Sequence, residues 1–308
     1  MIDRILRKVR EALHLRTARA VLATRPIVPT ADRVLLFSMI GTRVLLPYLV
    51  AVKSLHARLG IGRIAILDDG TLTDADRRLL AHHLADPMIR SIRDVDTGAC
   101  PQGGTWERLL TLLDLRADDY VIQLDSDTVT VGDVAEIRAA IAANRSFTLL
   151  GGPESEGIGI LPLRDFVAWR YPEGVAADGA HIQAAIESRF GAYPAAADRL
   201  YVRGCSGFTG FARGGPSGRP EAARFSLAAE ALVGTARWRE WGTEQVASSF
   251  LLANEPGTHT LPYARYNNYW RQPIAADAAF LHFVGTNRYA TGEYRARTRQ
   301  AVAHLSRG

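Results

Sequence analysis

The octapeptide Tyr120-Val-Ile-Gln-Leu-Asp-Ser-Asp127 is an apolar strand that stops on two carboxylates. In extended backbone, side chains two positions apart point the same way, so Asp125 and Asp127 can converge on one cation just beyond the strand. Ligands of open α/β sheets bind at that carboxyl edge, and carboxylate oxygens suit a hard ion such as Mn²⁺ or Mg²⁺. A solvated acidic turn would look the same locally. The chain supplies its own control in Asp94-Val-Asp96, a second copy with no strong strand before it, so the choice rests on context.

Outward from this stretch, short apolar runs alternate with helical spacing. Residues 33–38 and 63–67 read as buried strands with a helix over 47–59 between them, and Asp68-Asp69-Gly70 reads as a turn. Thr73 suits the N-cap of a helix running to about residue 84. A weaker strand follows at 89–92 and a helix at 105–115; beyond the acidic pair come a helix from 133 to about 143 and a strand at 147–150. Strands alternating with helices predict an α/β fold on a mostly parallel central sheet. From 151 to 218 the pattern loosens into Gly- and Pro-rich loops around shorter elements, which suits a segment that shapes a substrate site.

The 308 residues are 47% hydrophobic and 22% charged, ordinary for one globular domain with elaborations. Residues 2–19 read as an amphipathic helix, with Ile2, Ile5, Leu6, Val9 and Leu13 on one stripe, Arg4, Arg7, Lys8 and Glu11 opposite, and Pro26 and Pro29 ending it. Residues 1–25 hold seven basic and two acidic side chains, which is the whole formal surplus of +5. The balanced remainder argues against a nucleic-acid groove. The basic helix is expected to touch anionic membranes weakly, the competing reading being that its stripe packs on the rest of the chain. No run is apolar enough to span a bilayer and the N-terminus lacks a signal-peptide pattern. The expectation is therefore a cytoplasmic chain, at the inner face of the membrane if the helix binds there. Cys100 and Cys205 are too few for a disulfide framework and read as free thiols.

The context around the acidic pair is long and collinear. Residues 103–137, from Gly-Gly-Thr-Trp-Glu-Arg-Leu-Leu through Leu-Asp-Ser-Asp-Thr-Val, resemble glycosyltransferase family 8, whose members include glycogenin and bacterial galactosyltransferases. Trp106 and Arg108 stand one helix and one strand before the Asp-x-Asp, as an aromatic-x-Arg-Leu segment does in that family. Residues 51–55 and 65–77 look like its first helix and second strand, and Trp241-Gly-Thr-Glu-Gln245 like the Asp-Gln segment beside the transferred sugar. His282-Phe-Val-Gly-Thr-Asn-Arg288 resembles the family's His-Phe-x-Gly-x-x-Lys, with Arg288 at the Lys position, where its fork suits phosphate.

The resemblance covers residues 33–290 and implies a GT-A fold, a Rossmann-like nucleotide-diphospho-sugar transferase in a single domain. With the basic amphipathic helix read from periodicity at 1–26, the expected organisation is a catalytic domain at 27–308, divided into a nucleotide-binding half (33–150), a half that shapes the acceptor site and completes the metal site (151–290) and a C-terminal helix (291–308). The implied activity is metal-dependent transfer of a sugar, with retention, from a nucleotide diphosphate donor to a glycan, lipid or protein acceptor; UDP is the expected nucleotide and Mn²⁺ or Mg²⁺ the ion. Asp127 and His282 are expected to bind the metal and Asp125 the metal or the ribose. Arg108 and Arg288 face the diphosphate, Glu244 or Gln245 the reacting face of the sugar, and Asp68 or Ser38 the base or ribose.

The chain also departs from the family. Phe37-Ser-Met-Ile-Gly41 replaces the acidic and Asn residues that hold the base, Cys205-Ser-Gly207 replaces Asn-x-Gly, and Val246 stands where a third acid is usual. Two other functions remain in view. One is a nucleotidylyltransferase, for which Gly41-Thr-Arg43 is a poor version of the expected Gly-rich basic loop; the other is a degenerate transferase that only binds nucleotide sugar.

Overall fold

The computed structural model describes residues 2–177 and 179–307, excluding the side chains of Ile2 and Asp3. Helix α1 (Ile2–Ala18) precedes strand β1 (Val34–Ile40), helix α2 (Leu45–Leu59) and strand β2 (Arg63–Asp68). Pro47 is tolerated because it sits in the first turn of α2, and Gly60, at φ 79°, closes that helix in the left-handed region. Helix α3 (Asp74–Leu84) begins at Thr73 with a reciprocal cap: the Thr73 hydroxyl accepts from Asp76 N, and the Asp76 carboxylate accepts from Thr73 N at 2.9 Å. Strand β3 (Met88–Ser91), helix α4 (Trp106–Leu115) and strand β4 (Tyr120–Leu124) follow, close to the bounds the periodicity predicts.

Beyond the acidic pair come β5 (Thr128–Thr130), α5 (Ala135–Ala142), β6 (Phe147–Leu150), β7 (Leu161–Pro162), α6 (Leu163–Arg170), α7 (Ile182–Glu187) and β8 (Leu200–Tyr201). The remaining elements are β9 (Gly204–Phe211), α8 (Arg219–Val233), α9 (Thr235–Trp238), α10 (Thr243–Ala253), β10 (His259–Thr260), β11 (Tyr266–Asn268), β12 (Phe280–His282) and α11 (Glu293–Leu305). Strand β9 corrects the reading of residues 151–218 as loops around shorter elements. It is eight residues long, fully buried and central to the sheet, although Gly204, Gly207 and Gly210 argue against a strand locally.

The seven-stranded sheet runs β10-β6-β9-β4-β1-β2-β3, and β9 alone opposes the others. Side chains alternate between its two faces: Leu36, Ile64 and Ile66 join a core with α2 and α11, while Leu35, Phe37 and Leu67 join one with α4, α8 and α10. From β1 the chain winds to β2 and β3 on one side and returns as β4 on the other, so β1 and β4 flank a topological switch point. A second sheet, β11-β12-β5, stands beside the carboxyl end of β4. Among the described residues, no helix is long and apolar enough to cross a membrane. Cys100 and Cys205 are buried free thiols.

Candidate metal and nucleotide-sugar site

Asp125 and Asp127 follow β4 directly, and β12 brings the third side chain to them. In the antiparallel β12–β5 register His282 lies opposite Thr128, so a residue distant in sequence stands beside the acidic pair. Its Nε2 is 3.2 Å from Asp127 Oδ1 and 3.7 Å from Asp125 Oδ2. Ligand atoms of the three residues fall within 4.8 Å of one another, the one such grouping of three or more His, Cys, Asp or Glu among the described residues. Two carboxylate oxygens and one imidazole nitrogen at this spacing fit a divalent ion. The control pair is not so arranged: Asp94 and Asp96 are exposed, and Asp96 Oδ1 only accepts from Gly98 N at 2.9 Å.

Asn268, which the sequence did not single out, sets the tautomer of His282. Parallel pairing of β11 with β12 puts it level with His282, and its Oδ1 takes the His282 Nδ1 proton at 2.8 Å. Its amide nitrogen donates to the carbonyls of Leu150 and Gly151, which fixes the amide's orientation. With Nδ1 so engaged, Nε2 is the nitrogen whose lone pair an ion would take, the usual role of a second group behind a metal-binding histidine. Without an ion, burial opposes a charge on His282, but Asp127 outweighs it and raises the pKa well above that of a free imidazole, so an incoming ion must displace the Nε2 proton. The ring also packs against backbone: a Cβ on Gly207 would sit 2.2 Å from His282 Cε1. Gly207→Ala is therefore expected to displace the ring and weaken Mn²⁺ binding by about tenfold or more. Unchanged affinity in a Mn²⁺ titration of the variant would remove His282 from the ligand set.

Two arginines stand on opposite sides of the acidic pair. Arg108, buried on α4, forks between Asp125 and Glu244: Nη1 pairs with Asp125, while Nη2 lies 3.0 Å from Glu244 Oε2 and 3.1 Å from Ser206 Oγ. It is therefore not the helix-surface arginine that its sequence position alone would favour. Burial works against its charge, but the two carboxylates raise its pKa. Arg288 pairs with Asp127 Oδ2. Glu244, at the start of α10, has Oε2 held by Thr105, Arg108 and Ser206, while its buried Oε1 has no partner. Thr105 holds φ 74°, a left-handed conformation that is costly for a β-branched residue and is found where surroundings enforce it, often at functional sites.

Glu244, Gln245, Arg108, Arg288 and the three candidate ligands all line one cavity of about 700 Å³, with exposed Trp241 and Trp270 also in its wall. Gln245 Nε2 donates to Gln183 Oε1 at 3.2 Å. The two residues expected at the base or ribose lie elsewhere. Ser38 is fully buried and donates to Leu124 O at 2.7 Å, fastening β1 to β4. Asp68 is buried as well: Oδ1 accepts from Gly70 N and Leu72 N, and Oδ2 pairs with Arg77. Both side chains have their polar atoms engaged within the fold, and neither lines this cavity. At the family's Asn position, Cys205 Sγ lies 3.5 Å from His282 Nδ1.

No protein-family model and no curated protein matches the sequence. Solved structures do match. An active-site mutant of LgtC superposes with a TM-score of 0.50 at 13% identity, over 88% of this chain and 95% of that one. The galactosyltransferase LgtC in complex with donor and acceptor sugar analogues gives 0.48 at 14%, over 88% and 96%. The bifunctional glycosyltransferase WbbM gives 0.49 at 14%; it covers 92% of this chain, which spans about half the length of WbbM, 53%. The chain has the fold of GT-A glycosyltransferases, a single mixed α/β domain on a mostly parallel sheet, as the family-8 resemblance implied.

Proposed function

We propose that this chain is a glycosyltransferase, hexosyltransferase-like, that moves a sugar from a nucleotide diphosphate donor, UDP-sugar first among them, to an acceptor hydroxyl, with retention. The observation that carries the reading is the convergence of Asp125, Asp127 and His282 at the switch-point edge of the sheet, between two arginines and across one cavity from Glu244. Asp127 and His282 would hold Mn²⁺ or Mg²⁺, with Asp125 on the metal or the ribose. Such an ion neutralises the negative charge that develops on a leaving diphosphate. Arg108 and Arg288 add fixed positive charge in a partly desolvated site, where preorganised charge stabilises a transition state most. Glu244 or Gln245 meets the reacting face of the sugar. The anchored Oε2 and unpartnered Oε1 of Glu244 favour Glu244 for that place. In this reading 33–150 serves the nucleotide and 151–290 shapes the acceptor site and completes the metal site, and the reaction runs inside the cell near a membrane.

The test is thermal unfolding with a panel of nucleoside diphosphates, each with and without Mn²⁺. A ligand at a hundred times its dissociation constant stabilises the native state by about 2.7 kcal/mol, which for a chain of this size raises Tm by a few degrees. UDP alone should shift Tm little and UDP with Mn²⁺ clearly, because the two ligands are linked through the diphosphate. His282→Ala should weaken that linkage. A larger shift with another base would replace uridine and keep the transferase; no shift with any nucleoside diphosphate and either metal would overturn the reading.

A further inference from the structure

Helix α1 presents two faces of different character. One is fixed to the domain: the His14 ring stacks on Tyr294 at 3.7 Å between centroids, its Nε2 lies 3.0 Å from Thr298 Oγ1, and Ala18 is fully buried. Arg10 donates to Ala290 O and Arg295 to Thr17 Oγ1, so both ends of the contact are pinned. The apolar stripe does not take part. Ile5, Leu6, Val9 and Leu13 are 55%, 43%, 49% and 37% exposed, a contiguous row along the face turned away from His14 and Ala18.

Charge says what covers this row. By helical spacing Lys8, Arg16 and Arg19 lie beside the row and Arg4 and Arg7 toward the other side; all five are exposed, and none of them forms an ion pair among the described residues. Glu11 is turned instead toward a smaller cavity of about 330 Å³ that it lines with Leu15, Ser126, Asp127 and Arg288. A second copy laid stripe to stripe would bring these cations together, whereas acidic headgroups would pair with them. We propose that α1 lies flat on an anionic lipid bilayer, its stripe in the interface and the cations beside it, Lys8, Arg16 and Arg19, on the headgroups. One helix then separates headgroups from the cavity beside Asp127, a distance of about 10–12 Å. Resting on the transferase reading above, this places the acceptor hydroxyl on a molecule carried by the lipid surface.

The full chain is sedimented with phosphatidylcholine vesicles, with and without phosphatidylglycerol, and no nucleotide. Binding should be at least tenfold tighter to the anionic vesicles and should be lost near 1 M NaCl, where the Debye length is about 3 Å. The double variant Ile5→Glu, Val9→Glu should lose at least tenfold in vesicle affinity with Tm unchanged, since both positions are exposed. Leu227→Glu, at an exposed apolar residue of α8, should bind as the parent does. The proposal falls if the parent binds no vesicles, if the α1 variant binds equally well, or if the parent sediments as a dimer that the α1 variant dissolves. Because no nucleotide is present, failure here leaves the transferase reading standing, and a failed nucleotide panel leaves the docking result intact.

Discussion

Asp127→Asn is expected to lower sugar transfer by roughly a thousandfold, the upper range for removing one preorganised charge-stabilising group. Asp127 is buried, with Oδ1 facing His282 and Oδ2 on Arg288. Burial works against the charge on its carboxyl, but His282 and Arg288 prevail and hold its pKa down at about 2. It therefore meets an incoming ion fully ionised at any physiological pH. An amide in its place is a poorer ligand for a hard cation and supplies no charge. It also leaves Arg288 without its acid, so Tm should be recorded beside the rate. Asp96→Asn is the matched control, since Asp96 is exposed and only closes a turn at Gly98. Turnover of Asp127→Asn within a few-fold of the parent at saturating Mn²⁺ would end the metal assignment, and equal losses at the two positions would mean that the wrong acidic pair had been chosen.

Arg108→Ala should cost a further large factor, about 10²–10³ in kcat. Its guanidinium pairs with both Asp125, in the proposed metal site, and Glu244, proposed to meet the sugar. Without it, two carboxylates of one cavity face each other with no shared counter-charge, and breaking such a buried pair costs about 3–5 kcal/mol where one partner stays charged. Arg108→Lys separates charge from geometry: it keeps the charge but cannot fork between two acids. The lysine variant should fold near the parent's Tm and still lose most of its kcat, with a smaller change in KM. If Arg108→Ala folds and keeps kcat within threefold, the arginine is structural and the diphosphate is met by Arg288 alone.

The features legible in the sequence are those set by local backbone geometry. Period-two alternation along Tyr120–Leu124 puts both carboxylates at the strand end whatever the rest of the chain does. Thr73 and Asp76 cap a helix three residues apart, and Gly60 ends another, by the same short-range rules. Strand β9 was illegible because its glycines answer to neighbours far away in sequence. A Cβ at Gly210 would meet Phe147 at 2.2 Å, and one at Gly207 would meet His282. Each glycine lowers strand propensity locally and is demanded by packing globally.

The same division runs through the site. Asp125, Asp127, Arg108, Glu244, His282 and Arg288 could be named from motif spacing and family resemblance, because each sits in a short recognisable segment. Asn268 and Ser206 could not be, since their importance lies in a hydrogen bond whose partner is brought by another element. Ser38 and Asp68 were placed at the ligand by family resemblance, and only the tertiary structure shows that their polar atoms are engaged by Leu124 and Arg77. The sequence alone determined that the chain carries a basic amphipathic helix and a strand ending in paired acids, since composition and periodicity are properties of neighbouring residues. Only the tertiary structure decided that the apolar stripe faces solvent, that β12 delivers His282 to Asp127 and that Arg108 is buried between two acids, because each depends on which distant surfaces exclude water from one another.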